Sequence, residues 1–298
     1  MKATLLKPVY FILLCVISAG IDASASVFND TAKVSGRSGK TTTFIELKAN
    51  VVYPVLLTGH ESQSLEYIER FSVTKRAYLL RTFARGKKYF PKIASIFRKY
   101  NLPAELRVLI ALESGFNAHA ISPAGAVGYW QIMDDVAKEY GLKIVDKPPL
   151  EKTKFKVQPP VESPKKKVLT DERTNLNKST YAAARYLRDR CKNLNNDYLL
   201  IVASYNWGVG NVWNAMLKTG MKSPTFWDIK KYLPAETKAY VMNFMALNVI
   251  FHNYEKFAKN QLTFKPVTLT LNDYSAFTGP LFVTPVMRAA SSFSSTDR

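Results

Sequence analysis

From Leu65 to Asn260 the chain reads as a succession of helical segments broken at "RKYNLP", "LESG", "SPAGAVG", "YNWGVGN" and "KYLPAET". Each break carries glycine, proline or asparagine, residues that supply turns or stop a helix. No self-similar period recurs, which excludes a stacked repeat array. This texture predicts one mainly α domain over residues 65–260, with helices over 103–113, about 180–190 and 197–206 gathered around one cleft. The flanks differ. Residues 26–64 contain "FIELKANVVYPVLL", in which Val51, Val52, Tyr53, Val55 and Leu56 favour extended backbone without clear alternation, so this flank is expected to be extended or irregular. Residues 261–298 are β-prone and end in a serine-rich stretch; an edge strand pair and an interaction arm both fit.

The first residues, "MKATLLKPVYFILLCVISAGIDASA", set lysines at positions 2 and 7 before an apolar run and then Ala23-Ser24-Ala25. That order predicts a secretory signal over residues 1–25, with a run too short for a confident bilayer span. Cys15 follows the bulky Leu13 and Leu14, where a lipoprotein signal wants small residues, so lipidation is not expected. The mature chain would keep Cys191 alone and form no internal disulfide, leaving its stability to the core. The formal net charge is +19, and it falls by one when Lys2, Lys7 and Asp22 leave with the signal. Such a surface attracts polyanions. For an exported, periplasmic chain these are wall polymers and anionic headgroups, at the outer membrane among other places, rather than nucleic acid.

Residues 101–114 form the most readable helix. Pro103 suits a first helical turn, and Asn101 or Leu102 is placed to cap it. Leu102, Leu106, Leu109 and Ile110 recur at helical spacing, and Glu113 falls on the same stripe before Gly115 ends the helix. Glu113 is therefore expected at the rim of an apolar face. Burial disfavours its charged form, and the last helical turn adds the negative end of the dipole; both raise its pKa. An acid that keeps its proton near neutrality beside a concave surface meets the requirement for general acid catalysis on a glycosidic oxygen. A structural helix-terminal glutamate is the plain alternative.

The next stretch, "SPAGAVGYWQI", sets Gly125, Ala126 and Gly128 in a turn that lets backbone approach closely, then presents Tyr129, Trp130 and Gln131. Sugar rings bind through aromatic faces and amide hydrogen bonds, although Trp130 taken alone reads as a core residue. In "LLIVASYNWGVGNVWNAM" an apolar helix ends at Tyr205 and Asn206, where side chains reach a cleft between helices. "KYLPAETKAYVMNFMAL" restarts a helix near Pro234, and Glu236 in its first turn is either a favourable N-terminal acid or a brace of that cleft. His119 stands alone, no spacing suggests a metal, and no glycine loop precedes a lysine, so no cofactor is expected.

Four blocks, "LPAELRVLIALESGFNAHAISPAGAVGYWQI", "DERTNLNKSTYAAARYL", "LLIVASYNWGVGNV" and "LPAETKAYV", occur in this order over roughly residues 70–255. The chain thereby resembles the lytic transglycosylase catalytic domains of the goose-type lysozyme superfamily, most of all the membrane-bound murein transglycosylase D group. The resemblance implies a lysozyme-like helical domain with a substrate cleft and peptidoglycan glycan strands as substrate. It implies Glu113 as the single catalytic acid and base, with Ser114 supporting the site. Ser122, Gln131, Met133, Tyr205 and Asn206 are implied on the substrate side, and Glu236 as a buried supporting glutamate. The reaction implied cleaves the β-1,4 bond from N-acetylmuramic acid to N-acetylglucosamine. The muramyl C6 hydroxyl attacks C1 and a 1,6-anhydro ring closes, so one carboxylate suffices where glycosidases ordinarily use two.

Two departures stand out. After the glutamine the chain reads "IMDDVAKEYGL", placing Asp134 and Asp135 where a second carboxylate would restore hydrolysis; a helix-capping role for one of them fits the helical "VAKEYGL" better. Between "YGL" and "DER", residues 143–169 carry eight lysines, three acids and five prolines. Such a segment is expected as a surface loop outside the core, or as an electrostatic contact with an anionic wall or membrane surface. A lysozyme-type hydrolase and a catalytically silent wall-binding module remain as other functions.

Overall fold

The computed structural model describes residues 32–35, 42–145 and 170–270, in two compact units. The expected signal, nearly all of the Lys/Pro-rich segment and the serine-rich end lie outside the described residues.

The smaller unit draws on both ends of the chain. Strands β1 (Ala32–Ser35), β2 (Thr42–Leu47) and β3 (Val267–Thr270) form an antiparallel sheet in that order, with Ala32 opposite Ile45 and Phe44 opposite Thr270. The two flanks thus pair with each other. Within the N-terminal flank it is "TTFIEL" that forms the strand. The valine-rich "VVYPVLL" instead gives irregular chain and a 3-10 turn at Val55–Leu57, because Pro54 has no N–H for a ladder and starts the turn.

The larger unit spans residues 49–265, wider than the expected 65–260. Asn253 donates to the Val52 carbonyl and accepts from the Val52 N–H, tying the residues before the first helix to the end of a late one. Its helices are α1 (Glu61–Thr74), α2 (Arg76–Arg98), α3 (Leu109–Ser114), α4 (Asp134–Glu139), α5 (Leu176–Asn193), α6 (Tyr198–Trp207), α7 (Val209–Leu217), α8 (Phe226–Ile229), α9 (Ala235–His252) and α10 (Tyr254–Ala258). Two of them are central. Leu199 through Ser204 of α6 and Phe244 through Ile250 of α9 are buried without interruption, as befits helices surrounded on all sides by protein. Asp197 caps α6 by accepting from the N–H groups of Leu199 and Leu200. The protein is therefore mainly α with a minor β element. Among the described residues, no helix is long and apolar enough to cross a membrane.

The expected helix over 103–113 differs in its first half: Ala104–Val108 is a 3-10 helix, and α geometry begins at Leu109. Asn101 does not cap it. It sits at φ 55° in the turn that closes α2, and Pro103 takes the cap position without a side-chain bond. Gly115 ends α3 at φ 57°, a conformation that favours glycine.

Candidate active site

α3 is short and buries Leu109, Ile110 and Ala111, which fixes the direction of the side chains that follow. Glu113 keeps part of its surface open while its carboxyl is surrounded by protein. Burial pushes its pKa up to about 7, against a smaller downward pull from the Tyr240 hydroxyl, which donates a short hydrogen bond to Oε1. Among the described residues no other acid contributes to the shift. Tyr240 comes from α9, and burial together with the charge of Glu113 holds its own pKa far above the ordinary tyrosine value. Ser114 faces the other way and donates to the carbonyls of Tyr129 (2.8 Å) and Ile110 (3.3 Å), riveting α3 to the loop ahead of α4.

That loop is folded tightly. Val127 bridges both Ile121 and Ile132, and Ser122 closes its tip by accepting from the Ala126 N–H at 3.0 Å. Gly128 lies at φ 83° where a Cβ would sit 2.2 Å from the Arg173 carbonyl oxygen, so the loop needs glycine there. Trp130 is fully buried, its indole N–H donating to Thr180 Oγ1 at 3.0 Å, which makes it a core residue. Gln131 adopts φ 47° and spends its amide on the carbonyls of Ala120 and Gly128. Tyr205 donates to the Trp130 carbonyl at 2.8 Å, and Tyr186 meets its ring edge-on at 5.5 Å. Burial and the charge of Glu113 raise the Tyr205 pKa as well.

A cavity of about 340 Å³ opens beside these groups, lined by Gln131, Met133, Tyr186, Tyr205, Asn206 and Trp207 among others. Four of the expected substrate-side residues, Gln131, Met133, Tyr205 and Asn206, are thus brought together. Glu113, Ser114 and Ser122 do not line it; the charge of Glu113 acts on two residues that do, Tyr205 and Tyr186. Asn206 accepts from Thr237 Oγ1 at 2.8 Å, which turns its side chain against α9.

Two expectations are corrected. Glu236 is exposed and makes no side-chain hydrogen bond or ion pair among the described residues. Helix α9 starts at Ala235, so the inward stripe runs through Thr237, Val241 and Phe244, and Glu236 in the first turn falls beside it, where an acid suits the dipole. The "ET" segment reaches the site through Thr237 and Tyr240 instead. Nor does Asp134 or Asp135 cap α4: Met133 holds the cap position, and both acids follow inside the first turn. Asp134 pairs with the buried Arg173, whose guanidinium also binds Asp171 and the Ile132 carbonyl. Arg173 and Tyr240 were not singled out from the sequence. The spacing of Thr237, Tyr240 and Phe244 on one helical stripe was the signal for the second; the first offered none, because a buried arginine reads like a surface one.

Among the described residues no cluster of histidine, cysteine and acid side chains could hold a metal ion. What the arrangement offers is a lone carboxyl that keeps its proton near neutrality, beside a cavity with aromatic and amide walls.

Residues 92–225 match the family model of the transglycosylase SLT domain. The chain is similar to the membrane-bound lytic murein transglycosylase D of Escherichia coli (strain K12), 34% identical over 184 residues, which are 61% of this chain and 35% of that protein. It therefore spans about a third of the length of that relative. Among solved structures, it resembles the 70-kDa soluble lytic transglycosylase of Escherichia coli at 17% identity and a TM-score of 0.39, over 67% of this chain and 32% of that one. The lytic transglycosylase Slt of Pseudomonas aeruginosa gives 19% and 0.39, over 57% and 24%.

Proposed function

We propose that the protein, whose residues 92–225 match the transglycosylase SLT domain, is a lytic transglycosylase of peptidoglycan, acting in the periplasm with Glu113 as its catalytic acid and base. The observation that carries the proposal is the state of Glu113, a carboxyl raised to about 7 by burial and shifted by no second acid. At neutral pH a large share of such groups is protonated. The proton passes to the glycosidic oxygen as the bond to C1 of N-acetylmuramic acid breaks, and positive charge develops at C1. The carboxylate so formed takes the proton of the muramyl C6 hydroxyl, whose oxygen bonds to C1 and closes the 1,6-anhydro ring. Glu113 ends protonated and no water is consumed. A hydrolase would need a second carboxylate to hold water, and Asp134 is engaged with Arg173.

The cavity walls support binding. Tyr186 and Tyr205 offer ring faces and edges, and Asn206 and Gln131 carry amides there. Ser122, outside the cavity, is assigned the muramyl side on the resemblance alone. The test is the release of soluble fragments from purified sacculi. Glu113→Gln keeps size and an acceptor for Tyr240 but cannot transfer the proton, so release should fall by about 10² or more. Near-normal release would remove Glu113 from the role.

A further inference from the structure

A second cavity, of about 430 Å³, runs between α1 and α9 and shares no lining residue with the first. Arg70, Lys230 and Lys238 converge on it, with Tyr67, Glu66 and Met242 between them. None of the three cations joins an ion pair among the described residues. Glu66 lies one turn from Arg70 on the same helix yet does not bridge it. Arg70 rests 5.9 Å from the centre of the Tyr67 ring, and the Lys230 ammonium 4.8 Å from that of Trp227. Burial and the charge of Lys238 push the pKa of Lys230 down, so the two ammonium groups act on each other. Ala235 and Ala239, exposed and one turn apart on α9, leave the groove open above the buried Met242.

Three cations gathered in a recess around a single carboxylate that bridges none of them cost stability, and a further anion seated among them removes that cost. We propose that this groove binds carboxylate groups on the peptides of the wall polymer, gripping substrate at a place distinct from the catalytic cavity; the inference rests on the function proposed above. Arg70 presents a fork that matches a carboxylate, and the lysines add point charges. Glu66 among them suits a chain that carries an amine as well as several acids. A recess between two helices admits a thin peptide strand more readily than the flat face of a bilayer.

The experiment compares native sacculi with sacculi whose carboxylates have been converted to amides, using the full chain, its Arg70→Gln/Lys238→Gln variant and a control of equal charge, Lys218→Gln/Lys222→Gln. On native sacculi the groove variant should raise KM about fivefold with kcat unchanged, the loss expected for a pair of charge-assisted contacts at a partly exposed site. On amidated sacculi it should match the unaltered protein. The control should track the unaltered protein on both substrates. Lys238→Arg, which keeps the charge, should restore KM when Arg70 is left intact. Equal losses in the groove variant and the control would overturn the proposal, as would a groove variant impaired on both substrates or on neither. No soluble product from the unaltered protein on either substrate would instead contradict the proposed function.

Discussion

At Glu113 two demands oppose each other, because the burial that keeps the proton on the acid also makes its ionised form expensive. An unfolded glutamate gives up its proton near 4.5 and the folded one near 7. Between those values the folded state binds more protons, so the stability this group confers is full below about pH 4.5 and is lost as pH rises through 7. The shift corresponds to about 3 kcal/mol. Glu113→Gln removes the titration and should therefore melt above the unaltered protein at pH 8, with the difference shrinking at pH 5; thermal unfolding at the two pH values measures it. In the proposed reaction the same proton is the one transferred, so kcat/KM should decline as pH passes through about 7. Tyr240 pulls the Glu113 pKa down. Tyr240→Phe should accordingly move that decline to higher pH, and a pH profile in which the limb stays put or moves down would show that the hydroxyl does not act on the acid. The sequence displayed Glu113 because an acid on an apolar stripe before a glycine is unusual. It did not display Tyr240, because tyrosine on an amphipathic stripe is ordinary and only the crossing of α9 over α3 brings the two together.

Among the elements, the loop from Ser114 to α4 is tied down by side chains at several points. It is held by Ser114 on the Tyr129 carbonyl, by Gln131 on two carbonyls, and by Arg173, which gathers Ile132, Asp134 and Asp171. Gly128→Ala would drive a methyl against the Arg173 carbonyl at a positive φ, and should cost about 2–4 kcal/mol in denaturant unfolding. A cost under about 0.5 kcal/mol, the range of a neutral surface substitution, would mean the approach is not as close as described. The glycines of "SPAGAVG" announced a tight turn; α5 spans the expected 180–190, and α6 begins one residue after the expected 197, because Asp197 caps it. The first half of the 103–113 helix was misread because i, i+3 and i, i+4 spacings fit a 3-10 turn and an α turn alike over so few residues. Glu236 was misread for a related reason: one residue of phase at a helix start separates the inward face from the outward one.

For the whole molecule, the proposed function has charge govern encounter and Glu113 govern turnover, so the two should be separable by salt. With a net charge of +19, association with sacculi should weaken steeply with ionic strength, since exposed charges are screened beyond about 8 Å at physiological salt. Deleting residues 148–167 should weaken co-sedimentation at low salt much more than at high salt, and should leave turnover of a small uncharged chitooligosaccharide unchanged; unchanged binding at low salt would remove the tether role from that segment. The pairing of the two flanks into one sheet was out of reach of the sequence, because register between strands more than two hundred positions apart leaves no local trace. In the proposed reaction one carboxylate and a hydroxyl of the substrate itself complete the cleavage without water. The most direct measurement is a mass spectrum of fragments released from sacculi in water enriched in oxygen-18. Ring closure by the C6 hydroxyl gives muramyl ends one water lighter than the hydrolysed form and free of the heavy isotope. Ends that carry a full water with the label would contradict it and make the protein a hydrolase.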